Sequence, residues 1–284
     1  MLRLSAPASS FEHVIDLCHA GITGNAVLAR EVADARQQMI AMGDIYVASC
    51  QTGTLYELVP ATLEEADPIV VSGLRKSDLV KLYDQYLLGA DKPARHIYEE
   101  LLVSAREKCP FCGGIGRPRN IDHFLPKSKF PQFSVLPVNL VPSCRDCNMD
   151  GKAARTAASA EDQIIHPYWD GACFFDVQWI FARFESDIFD PNLKIEYFVC
   201  TPDEWAVVDT ARAVCHFEAF DLPLRYALKA SEHASAVQGQ IRVMRSAGVS
   251  NNEIIDYVLQ PGVESASFPN HWRVGLYQAF IASL

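Results

Sequence analysis

The chain has 284 residues, 49% hydrophobic and 21% charged, with a net charge of −10. That balance excludes wholesale disorder, and no apolar run reaches the roughly 20 residues that a membrane span needs. The opening MLRLSAPASSFEHVIDLCHAG lacks the basic start, long apolar run and small-residue cleavage site of a secretion signal, so the expected location is the cytoplasm.

In chain order, residues 1–108 read as a helical N-terminal region. NAVLAREVADARQQMIAM (25–42) has helical periodicity and good helix formers. GDIYVASCQTGTLYELVPA (43–61) is ambiguous between short strands and loop. SDLVKLYDQYLLG (77–89) reads as a helix with a Ser cap and a Gly stop. Residues 92–107 continue helically, with Tyr98, Leu101, Leu102 and Ala105 on one apolar face.

Residues 109–158 change character, as Gly, Pro, Cys and basic residues replace the helical pattern. RNIDHFL (119–125) is a strand candidate, PKSKFPQF (126–133) a Pro- and Lys-rich loop, and SVLPVNLVP (134–142) a second strand candidate. A helix carrying Asn148 and Lys152 is expected after it. Residues 159–284 are helical again, over 206–220, 222–248, 251–260 and 270–284, with one strand candidate at 193–200. The expected fold is therefore mainly α, with helical N- and C-terminal arms around a small central ββα unit.

Nine cysteines are too few for a disulfide scaffold of this length. Four of them form two C-x-x-C pairs, Cys109/Cys112 and Cys144/Cys147. In a reducing compartment that spacing predicts one structural zinc held by four thiolates. Cys18, Cys50, Cys173, Cys200 and Cys215 sit in apolar contexts and read as small buried hydrophobes.

The charge is unevenly spread. Between Arg106 and Arg155 nine Lys or Arg face four Asp or Glu, so this segment is basic and the rest of the chain strongly acidic. A basic segment on an acidic body can dock on phosphates while the body repels them. Lys127, Arg145 and Lys152 are the phosphate-contact candidates. The same acidity implies modest unaided affinity for DNA.

Between the knuckles lies a polar set in an apolar frame: Asp122, His123 and Asn139, with Asn148 just beyond the last cysteine. Phosphodiester hydrolysis needs an activated water, a cation at the leaving oxygen, and rigid placement of both. A neutral histidine is a suitable general base at neutral pH. A carboxylate and an amide oxygen are hard ligands suited to Mg²⁺ or Mn²⁺. A second Asn facing the His across a hairpin can orient its ring or the loop behind it. His166, in the HPYWD turn, reads either as a further metal ligand or as a structural histidine. Trp169, Phe174, Phe175, Trp179 and Phe181 read as core rather than as base-stacking platforms.

These residues resemble the HNH endonucleases of the ββα-metal superfamily. Asp122-His123-Phe124-Leu125-Pro126 matches D-H-x-x-P, Asn139-Leu140 matches the N-L element, and Cys144 through Lys152 matches C-x-x-C-N-x-x-x-K. The resemblance implies His123 as general base, Asp122 and Asn148 as ligands of Mg²⁺ or Mn²⁺, and Asn139 as the orienting residue. Asn148 stands where the family's last histidine would be. More narrowly, the segment with HPYWD (166–170) looks like the HNH nucleases of Septu-type anti-phage systems, which work beside an ATPase. Those implications are an enzyme that cuts nucleic acid, with DNA the expected substrate over RNA, serving defence against phage, and an ATPase partner. A homodimer is an equal use for the helical arms. The alternative reading is a catalytically idle, zinc-stabilised nucleic-acid-binding or structural subunit.

Overall fold

A computed structural model describes residues 1–61, 65–152, 156–190 and 192–284; of Asp150 and Lys152 it describes the backbone alone. About half of the chain is helical, joined by small antiparallel hairpins. Helices α1 (Phe11–Ala20) and α2 (Ala26–Thr52) pack on each other, each started by a side chain: Ser10 Oγ accepts from His13 N, and Asn25 Oδ1 from Leu28 N. The ambiguous stretch from 43 resolves as a continuation of α2, which stops only where Gly53 adopts φ +73°. A short hairpin, β1 (Ile69–Val71) with β2 (Leu74–Arg75), leads into α3 (Lys76–Lys81), extended by a π-type turn over Leu82–Leu87. Ser77 is not the cap expected of it. Its N–H and hydroxyl both bond Asp67, and Asp78 instead accepts from Arg75 N. Helix α4 (Arg95–Ser104) follows and packs on the central hairpin.

That hairpin is β3 (Asn120–His123) with β4 (Leu140–Ser143), in the register Asn120↔Ser143, Asp122↔Val141, His123↔Leu140. The second strand is shorter than expected because Pro137–Asn139 forms a 3₁₀ turn before it. A π-type turn, Cys147–Lys152, comes next. After a four-residue α5 (Cys173–Asp176), the expected strand appears as β6 (Ile195–Val199). It pairs with β5 (Ile180–Phe184), which the aromatic run had hidden. The last layer is α6 (Val207–Ala219), α7 (Leu222–Ser246), α8 (Asn251–Ile254) continued through a π turn into α9 (Gln260–Glu264), and α10 (Trp272–Ala282). Helix α10 packs on β5, and α7 on β6.

One hydrophobic core runs through all three sequence segments. The helical regions are thus packed against the central unit rather than projecting from it as arms. Trp179, Phe174 and Phe175 are core residues as expected, and Phe181 and Trp169 are half-buried. Cys200 departs from its expectation: it is exposed, lying just past the end of β6. No helix is long and apolar enough to cross a membrane among the described residues.

Candidate active site and four-cysteine cluster

The two knuckles converge. The sulfurs of Cys109, Cys112, Cys144 and Cys147 all lie within 4.8 Å of one another, and all four residues are buried. Cys112 Sγ and Cys144 Sγ are 3.9 Å apart, close to the roughly 3.8 Å edge of a tetrahedron with 2.3 Å metal–sulfur bonds. Two glycines make the approach possible. Gly113 sits at φ +60°, and a Cβ on Gly116 would lie 2.3 Å from Cys144 Sγ. Burial pushes the Cys109 thiol up, while hydrogen bonding from Cys109 pulls Cys144 down. Such a crowded set needs a cation to hold all four as thiolates. The cluster can hold a metal ion such as zinc.

The C-terminal layer grips this cluster. Arg225 on α7 donates to Cys147 Sγ at 3.2 Å and to Cys144 Sγ at 3.7 Å. His216 on α6, fully buried, accepts from Ile165 N at 3.1 Å and donates through Nε2 to the carbonyl of Phe111 at 2.8 Å. Neither residue carried a sequence signal, because a lone Arg or His on a helix has many other uses.

On the neighbouring side of β3 lies an open cleft of about 460 Å³, within the range of functional sites. Asp122, His123, Asn148 and Lys127 all line it, so four of the sequence candidates meet. Asp122 and His123 reach it from the end of β3, and Asn148 from the turn that the second knuckle opens. The cysteine cluster thereby sets the distance between the hairpin and that turn.

His123 is held from behind. Its Nε2 bonds the carbonyl of Ser134 at 2.9 Å. A carbonyl only accepts, so Nε2 carries a proton and donates it to this bond. The Tyr83 ring stands edge-on to the imidazole at 4.3 Å between centroids, and the Tyr83 hydroxyl donates to the carbonyl of Ile121.

Asn139 does not line the cleft. It is fully buried, and its Oδ1 accepts from Leu125 N at 2.7 Å while Nδ2 donates to the carbonyls of Leu125 and Phe133, each at 3.1 Å. Of the two uses open to it, it serves the loop: it ties residues 125–133 behind His123. His166 supports this tie. Its Nδ1 accepts from Tyr168 N, and its Nε2 bonds the Tyr46 hydroxyl, which donates to Asn139 Oδ1. Asp170 accepts from His166 N and is ion-paired with Arg212 in the interior. His166 is therefore structural here.

Of the remaining phosphate candidates, Arg145 is exposed and lies off the cleft lining. The Lys152 side chain lies outside the described residues. Lys127 bonds Asp84 and sits over the Tyr83 ring at 4.7 Å. Tyr83, Asp84, Leu88 and Tyr98 form the far wall, contributed by the N-terminal helices. Sequence reasoning missed this wall, since nothing in a helical pattern marks which face meets a distant cleft. It also missed Asn120, which strand alternation from Asp122 would have placed on the same face.

Fold and site together define a mainly helical protein that assembles a buried four-cysteine cluster beside a polar cleft. The chain is 36% identical over 298 residues to protein ea31 of Escherichia phage lambda, covering 100% of this chain and 98% of that one, and it belongs to the family of that phage protein. No family model matches the chain, and no solved structure does.

Proposed function

We propose that this chain is a metal-dependent HNH-type nuclease that hydrolyses phosphodiester bonds in DNA. The observation that supports the reading is the meeting of Asp122, His123 and Asn148 in one cleft, although they lie on two different elements. The donor set fits a hard cation: one carboxylate and one amide oxygen, in a cleft with room for phosphate and water to complete the shell. Among the described residues, the four cysteines are the one group of three or more acidic, His or Cys side chains close enough to hold an ion. Cation binding in the cleft would therefore rest on few protein oxygens, as Mg²⁺ and Mn²⁺ tolerate. When bound there, the cation would neutralise charge on the scissile phosphate and its leaving oxygen.

The geometry supports a role for each of the protein's own residues in this reading. His123 takes a proton from the attacking water at Nδ1, while its Nε2–H stays bonded to the carbonyl of Ser134. Asn139 fixes the loop that carries Ser134's neighbours, so the base cannot swing away. Lys127, at the cleft rim, meets the phosphate backbone. The four-cysteine cluster, as a structural zinc site with no open position, keeps β3 and the Asn148 turn in register.

With Asn148 in place of a histidine, Ni²⁺ should be a poor activator. We place the enzyme in defence against phage, working in the cytoplasm with an ATPase partner that supplies the DNA affinity an acidic body lacks. Plasmid cleavage with Mg²⁺ and Mn²⁺, by wild type and His123→Ala, tests the reading; equal activity of the two would overturn it.

A further inference from the structure

Asn120 opens β3 and lines the same cleft as Asp122 and Asn148. Two residues apart on a strand, Asn120 and Asp122 send their side chains from the same face, about 6.6 Å apart along the chain. The Oδ1 atom of Asn120 is buried and accepts no hydrogen bond among the described residues. A buried amide oxygen left unsatisfied is costly, and its retention calls for a partner that comes and goes. A small cation held at about 2.1 Å would satisfy such an oxygen.

We infer that Asn120 Oδ1 is a third protein oxygen for a Mg²⁺- or Mn²⁺-sized cation in this cleft, beside Asp122 and Asn148. The inference rests on the nuclease reading of the cleft and deepens it. Three oxygens from β3 and the Asn148 turn would let the cation bind before nucleic acid arrives. Softer metals gain nothing from a third amide or carboxylate oxygen.

The test is Mn²⁺ titration of the zinc-loaded full chain without nucleic acid, reading free Mn²⁺ by electron paramagnetic resonance. Wild type, Asn120→Ala, Asn120→Asp and Asp122→Ala are compared, with zinc content and thermal melting as controls on folding. Asn120→Ala should weaken Mn²⁺ binding about tenfold. Asn120→Asp, which keeps an oxygen and adds charge, should bind at least as tightly as wild type. If Asn120→Ala binds like wild type while Asp122→Ala is impaired, Asn120 is no ligand and the cleft remains the cation site. If Asp122→Ala also binds like wild type, the cleft is not the cation site and the nuclease reading fails with the inference.

Discussion

The hydroxyl of Tyr46, on α2, donates to Asn139 Oδ1 across 3.0 Å in the fully buried interior. Through it the N-terminal helices reach the loop behind His123. The same hydroxyl meets His166 Nε2 at 3.3 Å, so one oxygen joins three segments distant in sequence. Removing it takes an acceptor from the His166 N–H and a donor from Asn139. Tyr46→Phe should lower stability by about 1–3 kcal/mol. Asn139→Ala removes four bonds and should cost more, with loss of cleavage because the loop is released. Denaturant melts of both variants check this; a Tyr46→Phe variant as stable as wild type would show that the junction carries no load.

The purified protein should contain one zinc per chain. Cys112→Ser or a strong chelator should melt the central segment and abolish cleavage, since the cluster sets the spacing of β3 and the Asn148 turn. Arg225→Met should weaken zinc retention more mildly, because it removes two donors to the thiolates but no ligand. Metal analysis during chelator challenge reads both effects.

Asp84 is ion-paired with Lys127, the lysine to which the proposed function gives a phosphate contact. The pair is partly exposed, with side chains 30% and 46% accessible, so its worth is at most about 1 kcal/mol. Asp84→Asn should therefore tighten DNA binding by up to about fivefold at low salt, an advantage that fades as salt rises. Filter binding across a salt series checks it. Weaker binding by Asp84→Asn would show that Asp84 assists the cleft instead of screening it.

Burial pushes the His216 imidazole down to about 3, with Arg212 and the chain's amino terminus adding to the effect. The unfolded chain takes up that proton near the ordinary value of about 6.5. The folded state thus binds fewer protons between those values, so stability is full above about pH 6.5 and falls as pH drops toward 3, by up to about 1.4 kcal/mol per unit. His216→Gln can keep both hydrogen bonds without titrating. It should flatten the pH dependence of the melt relative to wild type over this window.

Much of the site was legible because its residues are close in sequence or carry rigid spacing. The C-x-x-C pairs, the Asp122-His123 dipeptide and the strand Asn120–His123 needed only local geometry. The far wall of Tyr83 and Asp84, and the grips of Arg225 and His216, depend on how distant helices pack, which periodicity does not encode. Strand β5 was missed because its aromatic run, buried on one face by α10, reads equally well as helix core. Helix α2 runs ten residues past its expected end because tertiary burial of Tyr46 and Cys50 outweighs the β-branched and Gly residues there.

The most direct test is cleavage of supercoiled plasmid by the zinc-loaded chain, alone and with the product of the neighbouring gene, in Mg²⁺ or Mn²⁺. Wild type should nick the plasmid only with the divalent cation, and His123→Ala should lose about 10²–10⁴ in rate while keeping its fold and DNA binding. Cation-independent cutting, no cutting under any of these conditions, or equal cutting by His123→Ala would contradict the assignment of the Asp122–His123–Asn148 cleft as a nuclease site.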